Sequence, residues 1–300
     1  MSGADIVEEQ VPKRPARRDH VPLGIAFMLA ATVMFAGSSA LSKWQVVEYP
    51  VGEVLFVRTV TSLLVCSLLI LPAAGLGVFR TNRRYDHFMR GIAQATSQSF
   101  IVIAFSMMPL AGAVAINFSS PLFATLASAL VLKEAVGPAR SSALIVGFLG
   151  VLIVAGPGAD SFNIGALFAL SNAVIYGSVT AAVRGMTATE SAETLTMYQM
   201  VVLTCVFAAF LPFGFKMPSL SDGALMMANG AANALGQYWW TRALHLAPAS
   251  AVTPFFYFSL VWAIIIGFLV WGDAPSVGLL AGSAIVVGSG LFLLWRESRR

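Results

Sequence analysis

Carboxamide side chains recur at helical spacing in two otherwise apolar stretches of the sequence. Gln94 and Gln98 are four residues apart in the first stretch, and Asn229, Asn233 and Gln237 follow the same spacing in the second. Residues four apart lie on one face of a helix. Such faces could form the polar wall of a substrate cavity, or they could hydrogen-bond to neighbouring helices.

Aromatic side chains follow the second amide face. Trp239 and Trp240 come directly after it, and Phe256 and Tyr257 lie early in the next apolar stretch. A pocket lined by aromatic rings suits flat or apolar ligands, although the same rings could serve ordinary packing. We take these four residues as candidate substrate-binding residues beside the amides.

Three more polar residues are candidates for substrate binding. Asn172 and Tyr176 are four residues apart, and Asn117 lies four residues before Pro121. A proline inside a helix frees the carbonyl four residues earlier, here that of Asn117. Within a membrane, a freed carbonyl is tolerated where protein or cavity water can satisfy it.

Ionisable residues are almost absent from the middle of the apolar stretches. None of the 14 acids lies there, whereas a carrier of cations or protons would be expected to keep one. Arg58 is the exception, and it could attract a carboxylate or extend towards Glu53. The sequence has no phosphate-binding glycine loop, metal-site motif or Ser/His/Asp set, so it predicts no enzyme, no metal site and no cofactor.

The composition predicts the elements that position these residues. Of the 300 residues, 58% are hydrophobic and 11% are charged, and the mean hydropathy is +0.81; soluble domains carry about 25% charged residues. Apolar runs of about 20 residues cross a hydrocarbon core about 30 Å thick. The chain is therefore predicted to be an all-α polytopic membrane protein with ten transmembrane helices at 22–42, 51–71, 87–107, 110–132, 140–156, 163–183, 194–213, 222–245, 249–271 and 276–295.

Lysine and arginine residues predict the orientation of these spans. With both termini in the cytoplasm, fifteen basic residues fall on the cytoplasmic side, and Lys43 and Lys216 fall on the other. Such an excess is typical of cytoplasmic loops. It also accounts for the net charge of +4, which therefore does not indicate binding to nucleic acid.

A proline-interrupted stretch occurs twice, at 109–134 and at 248–273, an offset of 139 residues. Each copy begins with proline, contains a second proline and ends on an acid. Because each half has an odd number of spans, the halves are expected to be inverted repeats, as in many secondary transporters. We expect a cytoplasmic tail at 1–21, a first repeat at 22–157, a second at 158–300 with a short cytoplasmic C-terminus, and gating flex points at Pro121 and Pro254.

Four motifs resemble those of a known transporter family. They are FAGSSALSKW at the end of span one, Pro50 followed by Arg58 in span two, SSPLFATLASALVLKE in span four and GFLGVLIVAG in span five. With the span pattern over 22–295, they resemble the EamA-type branch of the drug/metabolite transporter superfamily. Within that branch the chain is most similar to bacterial inner-membrane exporters of aromatic and other neutral amino acids. The second half departs further, since Gly272–Asp273 stands where an acid usually follows a basic or polar residue.

The resemblance implies a ten-helix basket of two inverted repeats. Its central cavity would be lined by spans one, three, four, six, eight and nine. The functional hypothesis is a secondary transporter that exports aromatic and neutral amino acids, or related metabolites, across the bacterial inner membrane by alternating access. A multidrug or other metabolite carrier is the alternative in the same class, and a lipid-acting enzyme or structural membrane protein lies outside it. Expected partners are a small-molecule substrate and the lipid bilayer, with the chain acting as a monomer.

Overall fold

The computed structural model describes residues 20–132, 138–155, 164–186, 189–247 and 249–297. All the regular structure in these ranges is helical. Most of the predicted tail at 1–21 and the predicted repeat boundary at 157/158 lie outside these ranges. The α-helices are α1 (Val21–Gln45), α2 (Val51–Ala74), α3 (Arg84–Met107), α4 (Leu110–Asn117), α5 (Ser120–Leu132), α6 (Pro138–Ala155), α7 (Ile164–Met186), α8 (Ala192–Phe210), α9 (Leu220–Leu246), α10 (Ala249–Val252), α11 (Phe258–Trp271) and α12 (Val277–Glu297).

Within the described ranges the helices form ten rods, which confirms the predicted all-α polytopic architecture. Eight rods are single helices, the fourth consists of α4 and α5, and the ninth consists of α10, a 3₁₀ segment at Thr253–Tyr257 and α11. An even number of passes places the start of α1 and the end of α12 at one end of the bundle, which we call the terminal end. The segments long and apolar enough to cross a membrane on their own are Val21–Gln45, Val51–Ala74, Ile164–Val183, Ala192–Phe213 and Pro254–Trp271.

The fourth and ninth rods are interrupted at their inner prolines, as predicted. The helix of the fourth rod stops at Asn117 and restarts at Ser120, so that Pro121 lies in the first turn of α5. A first-turn proline costs little, because its missing N–H would have no partner there. Pro254 occupies the corresponding early position of the 3₁₀ segment in the ninth rod.

The rods pack in a set of close pairs. The principal ones are α1 with α9, α3 with α7, α6 with α12, and α2 with both α8 and α9. In the fourth rod, α4 packs against α7 and α11, whereas the main partners of α5 are α7 and α6. Both halves of the fourth rod thus pack on α7, and the half farther from the terminal end also packs on the ninth rod.

A close approach between α7 and α5 gives a first test of this packing. A Cβ atom at Gly177 would come within 2.5 Å of the Ser120 carbonyl oxygen and 2.7 Å of the Ala124 nitrogen. Gly177→Ala is therefore expected to reduce stability by about 1–3 kcal/mol, because the backbone of α5 must move. Thermal unfolding in detergent should show a lower Tm.

The matched control is Gly37→Ala, 140 residues earlier in α1. A Cβ atom at Gly37 meets no atom within 4 Å, so this variant should melt like the wild type. Equal melting temperatures for both variants would contradict the close packing of α5 on α7.

Candidate functional site

An amide cluster joins α3, α4 and α7 in the middle of the bundle. The Asn172 Nδ2 donates to the Asn117 Oδ1 at 2.7 Å, and the Ser97 hydroxyl donates to the Asn172 Oδ1 at 2.6 Å. Asn172 is buried, and Asn117 is half-buried. The structure thus brings two predicted site residues together and adds Ser97, which sequence reasoning missed although it stands directly before Gln98.

Serine hydroxyls complete the backbone where α4 ends. The Asn117 carbonyl accepts the Ser120 hydroxyl, and the Ile116 carbonyl accepts the Ser119 hydroxyl at 2.6 Å. The ring of Pro121 has no N–H for the Asn117 carbonyl, so a side chain takes its place. The break is therefore satisfied within the protein, and the Asn117 side chain at its edge bonds to Asn172.

An aromatic junction connects the two broken rods. Phe118, at the break between α4 and α5, lies 5.8 Å from the Phe256 ring at 90° and 4.9 Å from the Tyr257 ring. Phe256 also lies 6.0 Å from Phe35 of α1, again edge-to-face. These arrangements are the ones that aromatic pairs favour. Because Phe118 follows Asn117 directly, the aromatic junction and the amide cluster are neighbours at the centre of the bundle.

Tyr176 lies one helical turn from Asn172, towards the terminal end. Residues four apart share a helix face, and Asn172 directs that face of α7 towards α3 and α4. The Tyr176 side chain is nevertheless 43% exposed. This exposure, on the face shared with Asn172, makes Tyr176 the predicted site residue best placed to meet a ligand coming from the terminal end.

The amide faces of α3 and α9 are connected through α2. Arg58 of α2 donates to the Gln98 Oε1, and the Asn233 Nδ2 donates to the Ser62 oxygen at 3.2 Å. The Ser62 hydroxyl also donates to the Gly230 carbonyl at 2.8 Å. Arg58 and Ser62 are four residues apart and share a face of α2. Span two, which the resemblance does not place in the lining, thus supplies the polar groups that both faces meet.

Asn229 bonds entirely to α1. Its Oδ1 accepts the Ser38 hydroxyl at 2.6 Å, and its Nδ2 donates to the Ser42 oxygen and the Gln45 Oε1, both at 3.0 Å. The residue is completely buried. Its role is therefore the hydrogen bonding between helices that was the alternative to cavity lining.

Of the two interpretations of Arg58, the extension towards Glu53 is wrong. The Glu53 Oε2 accepts the backbone N–H of Lys216 at 2.9 Å, whereas the Arg58 guanidinium turns to Gln98 and to the Ser42 oxygen at 3.4 Å. Five residues along a helix rotate two side chains by about 140°. The close packing of α1 and α3 beside α2 offers Arg58 nearer oxygens than its own helix does.

A pocket of about 160 Å³ lies between α2, α8 and α9. Gln237 lines it together with Cys66, which continues the Arg58–Ser62 face of α2 by another turn. Glu193 and Arg242 also line it, and both lie within a turn or two of helix ends at the terminal end. The third amide of the α9 face is thus open to a pocket instead of bonding to another helix.

The remaining predicted site residues, Gln94 of α3 and Trp239 and Trp240 of α9, lie outside the hydrogen-bonded clusters described above. Trp240 packs into the small hydrophobic cluster of α1 and α9 that contains Met28 and Ala243. Gln94 is buried one turn from Gln98, and Trp239 is half-buried. Trp240 therefore serves helix packing in this conformation.

Polar contacts join α1, α3 and α11 at the end opposite the termini. The Lys43 ammonium donates to the Met108 carbonyl at 2.9 Å, lies 3.7 Å from the Asp273 Oδ2 and sits 5.1 Å from the Trp271 ring centroid. Nearby, Tyr49 donates to Asp222 at 2.6 Å, a hydrogen bond that raises the pKa of the Tyr49 hydroxyl. These contacts tie elements of both halves together at this end.

Comparison with known proteins identifies the family. The model of the EamA-like transporter family matches this chain twice, over residues 22–156 and 163–295. A riboflavin transporter of Rhizobium johnstonii is 30% identical over 281 residues, which cover 93% of each chain. A solved crystal structure with 21% identity superposes with a TM-score of 0.64 and covers 92% of this chain and 98% of its own, which supports the fold.

More distant relatives carry other names. An S-adenosylmethionine uptake transporter of Rickettsia bellii is 25% identical over 92% of this chain and 95% of its own length. A pseudopaline exporter of Pseudomonas aeruginosa is 28% identical over 90% of this chain and 95% of its own length. The resemblance to the EamA-type branch is confirmed, while its narrower part, the similarity to amino-acid exporters, stays a prediction: the chain belongs to the EamA-like transporter family.

Proposed function

We propose that this protein is a secondary transporter of small metabolites that carry an aromatic ring, such as aromatic amino acids and their derivatives. The observation that supports the proposal is the joint position of the aromatic junction and the amide cluster, where Phe118 directly follows Asn117. Rings can stack on a flat solute while amides bond to its polar groups. Membership of a transporter family makes solute movement, and not chemical turnover, the expected activity.

We further propose that the two halves are inverted repeats. Exchanging the halves converts the α1–α9 pair into the α7–α3 pair, and it maps the α6–α12 and α4–α11 pairs onto themselves; all of these pairs are in contact. Gly91 and Gly230, which are 139 residues apart, are both close-contact positions, the first against Val202 of α8 and the second against Thr61 of α2. The double match of one family model supports the same relation.

We also propose that the protein works by alternating access, in which the bundle opens at one end while it is closed at the other. The contacts of Lys43 hold the end opposite the termini together, whereas Tyr176 is exposed on the inner face of α7. This combination supports a conformation open towards the terminal end. The positive-inside pattern supports a cytoplasmic position for that end, in a bacterial inner membrane. Export would then begin from the conformation described here, with the chain working as a monomer.

A transport panel tests the substrate class. Purified protein in liposomes should move tryptophan or phenylalanine with saturable kinetics above empty vesicles, and leucine more slowly. The rates of labelled solutes entering or leaving the vesicles give the comparison. A preference for leucine, or flux of no aromatic solute while other metabolites move, would overturn the aromatic proposal and leave the multidrug or general metabolite alternative.

Riboflavin is the second substrate to test, because a riboflavin transporter is 30% identical over nearly the whole chain. Its flat ring system would suit the same aromatic junction, and its fluorescence allows flux to be followed directly. Riboflavin flux without amino-acid flux would replace the amino-acid part of the proposal. Turnover of a membrane lipid without solute flux would favour the enzymatic alternative.

A further inference from the structure

Arg58 is a buried guanidinium whose hydrogen-bond partners among the described residues are neutral side chains. It is 7% exposed, its Nη2 donates to the Gln98 Oε1, and its Nη1 lies 3.4 Å from the Ser42 oxygen. Its Nε has no partner within the described part of the chain, where no carboxylate reaches salt-bridge distance of it. A charged side chain inside a membrane bundle is costly and is by default a functional-site candidate.

The surroundings of Arg58 hold more donors than acceptors. The Ser42 oxygen already accepts from Asn229, and the Gln45 Oε1 accepts the second hydrogen of the same amide. The Gln45 Nε2, like the Arg58 Nε, is a buried donor without a partner among the described residues. Arginine cannot accept a hydrogen bond, and each amide supplies two donors. The missing component is therefore an acceptor, ideally one with negative charge.

Glu53 does not supply that charge at contact distance. It lies five residues earlier on α2 and is completely buried; its Oε2 accepts the Lys216 N–H, and its Oε1 has no partner among the described residues, Arg58 included. The Arg58 guanidinium faces α1 and α3 instead. The Glu53 carboxylate could compensate the positive charge of Arg58 only from a longer distance, and substitution of Glu53 tests whether it does.

We propose that Arg58 and Gln98 form the subsite that binds the carboxylate of the transported solute. The proposal rests on the transport function given above and names the charged group of its substrate. The Gln98 Oε1 occupies the acceptor position that a carboxylate oxygen takes when the solute arrives, and the second carboxylate oxygen meets the Nε. Bidentate pairing of this kind is the interaction that guanidinium groups make best.

The face of α2 that carries Arg58 extends to the pocket between α2, α8 and α9. Arg58, Ser62 and Cys66 follow one another at four-residue spacing, and Cys66 lines the pocket between α2, α8 and α9. Eight residues of helix span about 12 Å. This face of α2 connects the pocket to the guanidinium, with Asn233 and Gln237 of α9 beside it. Ser62 is completely buried and Cys66 is 2% exposed, so the face is packed in the conformation described here, and the solute reaches Arg58 when the helices beside it separate.

Matched ligands test the carboxylate assignment. The full-length protein in detergent is titrated with indole-3-propionate and its neutral amide, and with hexanoate and hexanamide, and Kd is read from ligand-induced stabilisation. The wild type should bind each carboxylate at least tenfold more tightly than the matching amide, because a hydrogen bond to a charged group is the stronger one. Arg58→Gln should reduce that preference to about threefold or less, and Arg58→Lys should retain part of it.

Glu53→Gln is the control, and it should keep the preference of the wild type. Carboxylate preference that survives in Arg58→Gln, or that falls equally in Glu53→Gln, would overturn the assignment. Arg58-dependent binding of hexanoate without binding of the indole ligands would support the subsite while contradicting the aromatic proposal. Binding of the indole ligands without any dependence on Arg58 would support the aromatic proposal and contradict the subsite. If none of the four ligands binds, the aromatic proposal and the subsite are both contradicted.

Discussion

Asn172→Leu should transport aromatic substrate about 10- to 100-fold less efficiently than the wild type at low substrate concentration. Leucine is larger than asparagine but branches at the same carbon, and it forms neither of the hydrogen bonds that Asn172 makes to Asn117 and Ser97. The Asn117 amide loses the group that orients it beside the aromatic junction. One or two substrate hydrogen bonds lost at about 1–1.5 kcal/mol each correspond to this range. Initial rates in liposomes, normalised to the amount of inserted protein, give the measurement.

Ser178→Ala is the control for Asn172→Leu on the same helix. The Ser178 side chain is exposed, and its hydroxyl bonds to the Val174 carbonyl of its own helix. Transport by this variant should equal that of the wild type. If Asn172→Leu transports normally while melting at a lower temperature, the amide cluster is a packing feature and the substrate site lies elsewhere.

The fold could be predicted closely because a bilayer imposes a simple rule on sequence. Apolar length, basic flanks and short connections gave span boundaries that lie within three residues of the helix ends. The interruption of the fourth and ninth rods was also predicted, since a proline removes one backbone hydrogen bond wherever it stands. What proline cannot predict is the residue at which the helix stops, which here is Asn117 in the fourth rod.

The site was predictable in its residue types but not in its pairings. Helical spacing identified the amide faces, yet the partners of Asn229 are 184 to 191 residues away in sequence. Such pairings depend on the rotation of each helix about its axis, and in a chain apolar on nearly every face no periodicity reveals that rotation. Phe118 was missed for a related reason, because a single phenylalanine in an apolar run has no signal of its own. Its position immediately after Asn117, at a proline break, was the available clue.

Arg58 shows where local reasoning gave the wrong partner. An acid on the same helix was the obvious candidate when only the sequence was considered, and the structure gives Arg58 the Gln98 amide instead. A charge inside the bundle seeks the nearest acceptor in space, and neighbouring helices are often nearer than the next turns of its own helix. The difference matters because the described part of the chain offers the guanidinium no anion at salt-bridge distance, which is the basis for proposing that the substrate supplies one.

The two broken rods meet each other at their breaks. Phe118 and Phe256 come from interrupted segments, and both belong to the aromatic junction. A straight helix transmits displacement along its whole length, whereas a broken one lets its two parts move separately. On the terminal side of its break the fourth rod packs on α7 and α6, and on the other side it packs on α11 as well. The breaks are therefore placed where one end of the bundle could move while the other stays closed.

Pro121→Ala and Pro254→Ala should each reduce the maximal transport rate about tenfold while changing the KM little. Alanine favours a helix interior by about 3 kcal/mol relative to proline, so each substitution lets the broken rod become continuous. A bias of this size can shift a two-state equilibrium by up to about two orders of magnitude. The protein would then favour one conformation, and the slowest step would be the return from it. Initial rates over a range of substrate concentrations separate this effect on rate from an effect on binding.

Pro72→Ala is the control for both proline variants, because Pro72 lies inside the last turns of α2 and away from either break. It should transport at the rate of the wild type. The gating variants should also express and melt at or above the temperature of the wild type, since a continuous helix is not a weaker one. Wild-type rates in both gating variants would exclude the prolines as flex points. A raised KM with an unchanged maximal rate would instead place them in the substrate site, where Pro121 adjoins Ser120 and Asn117.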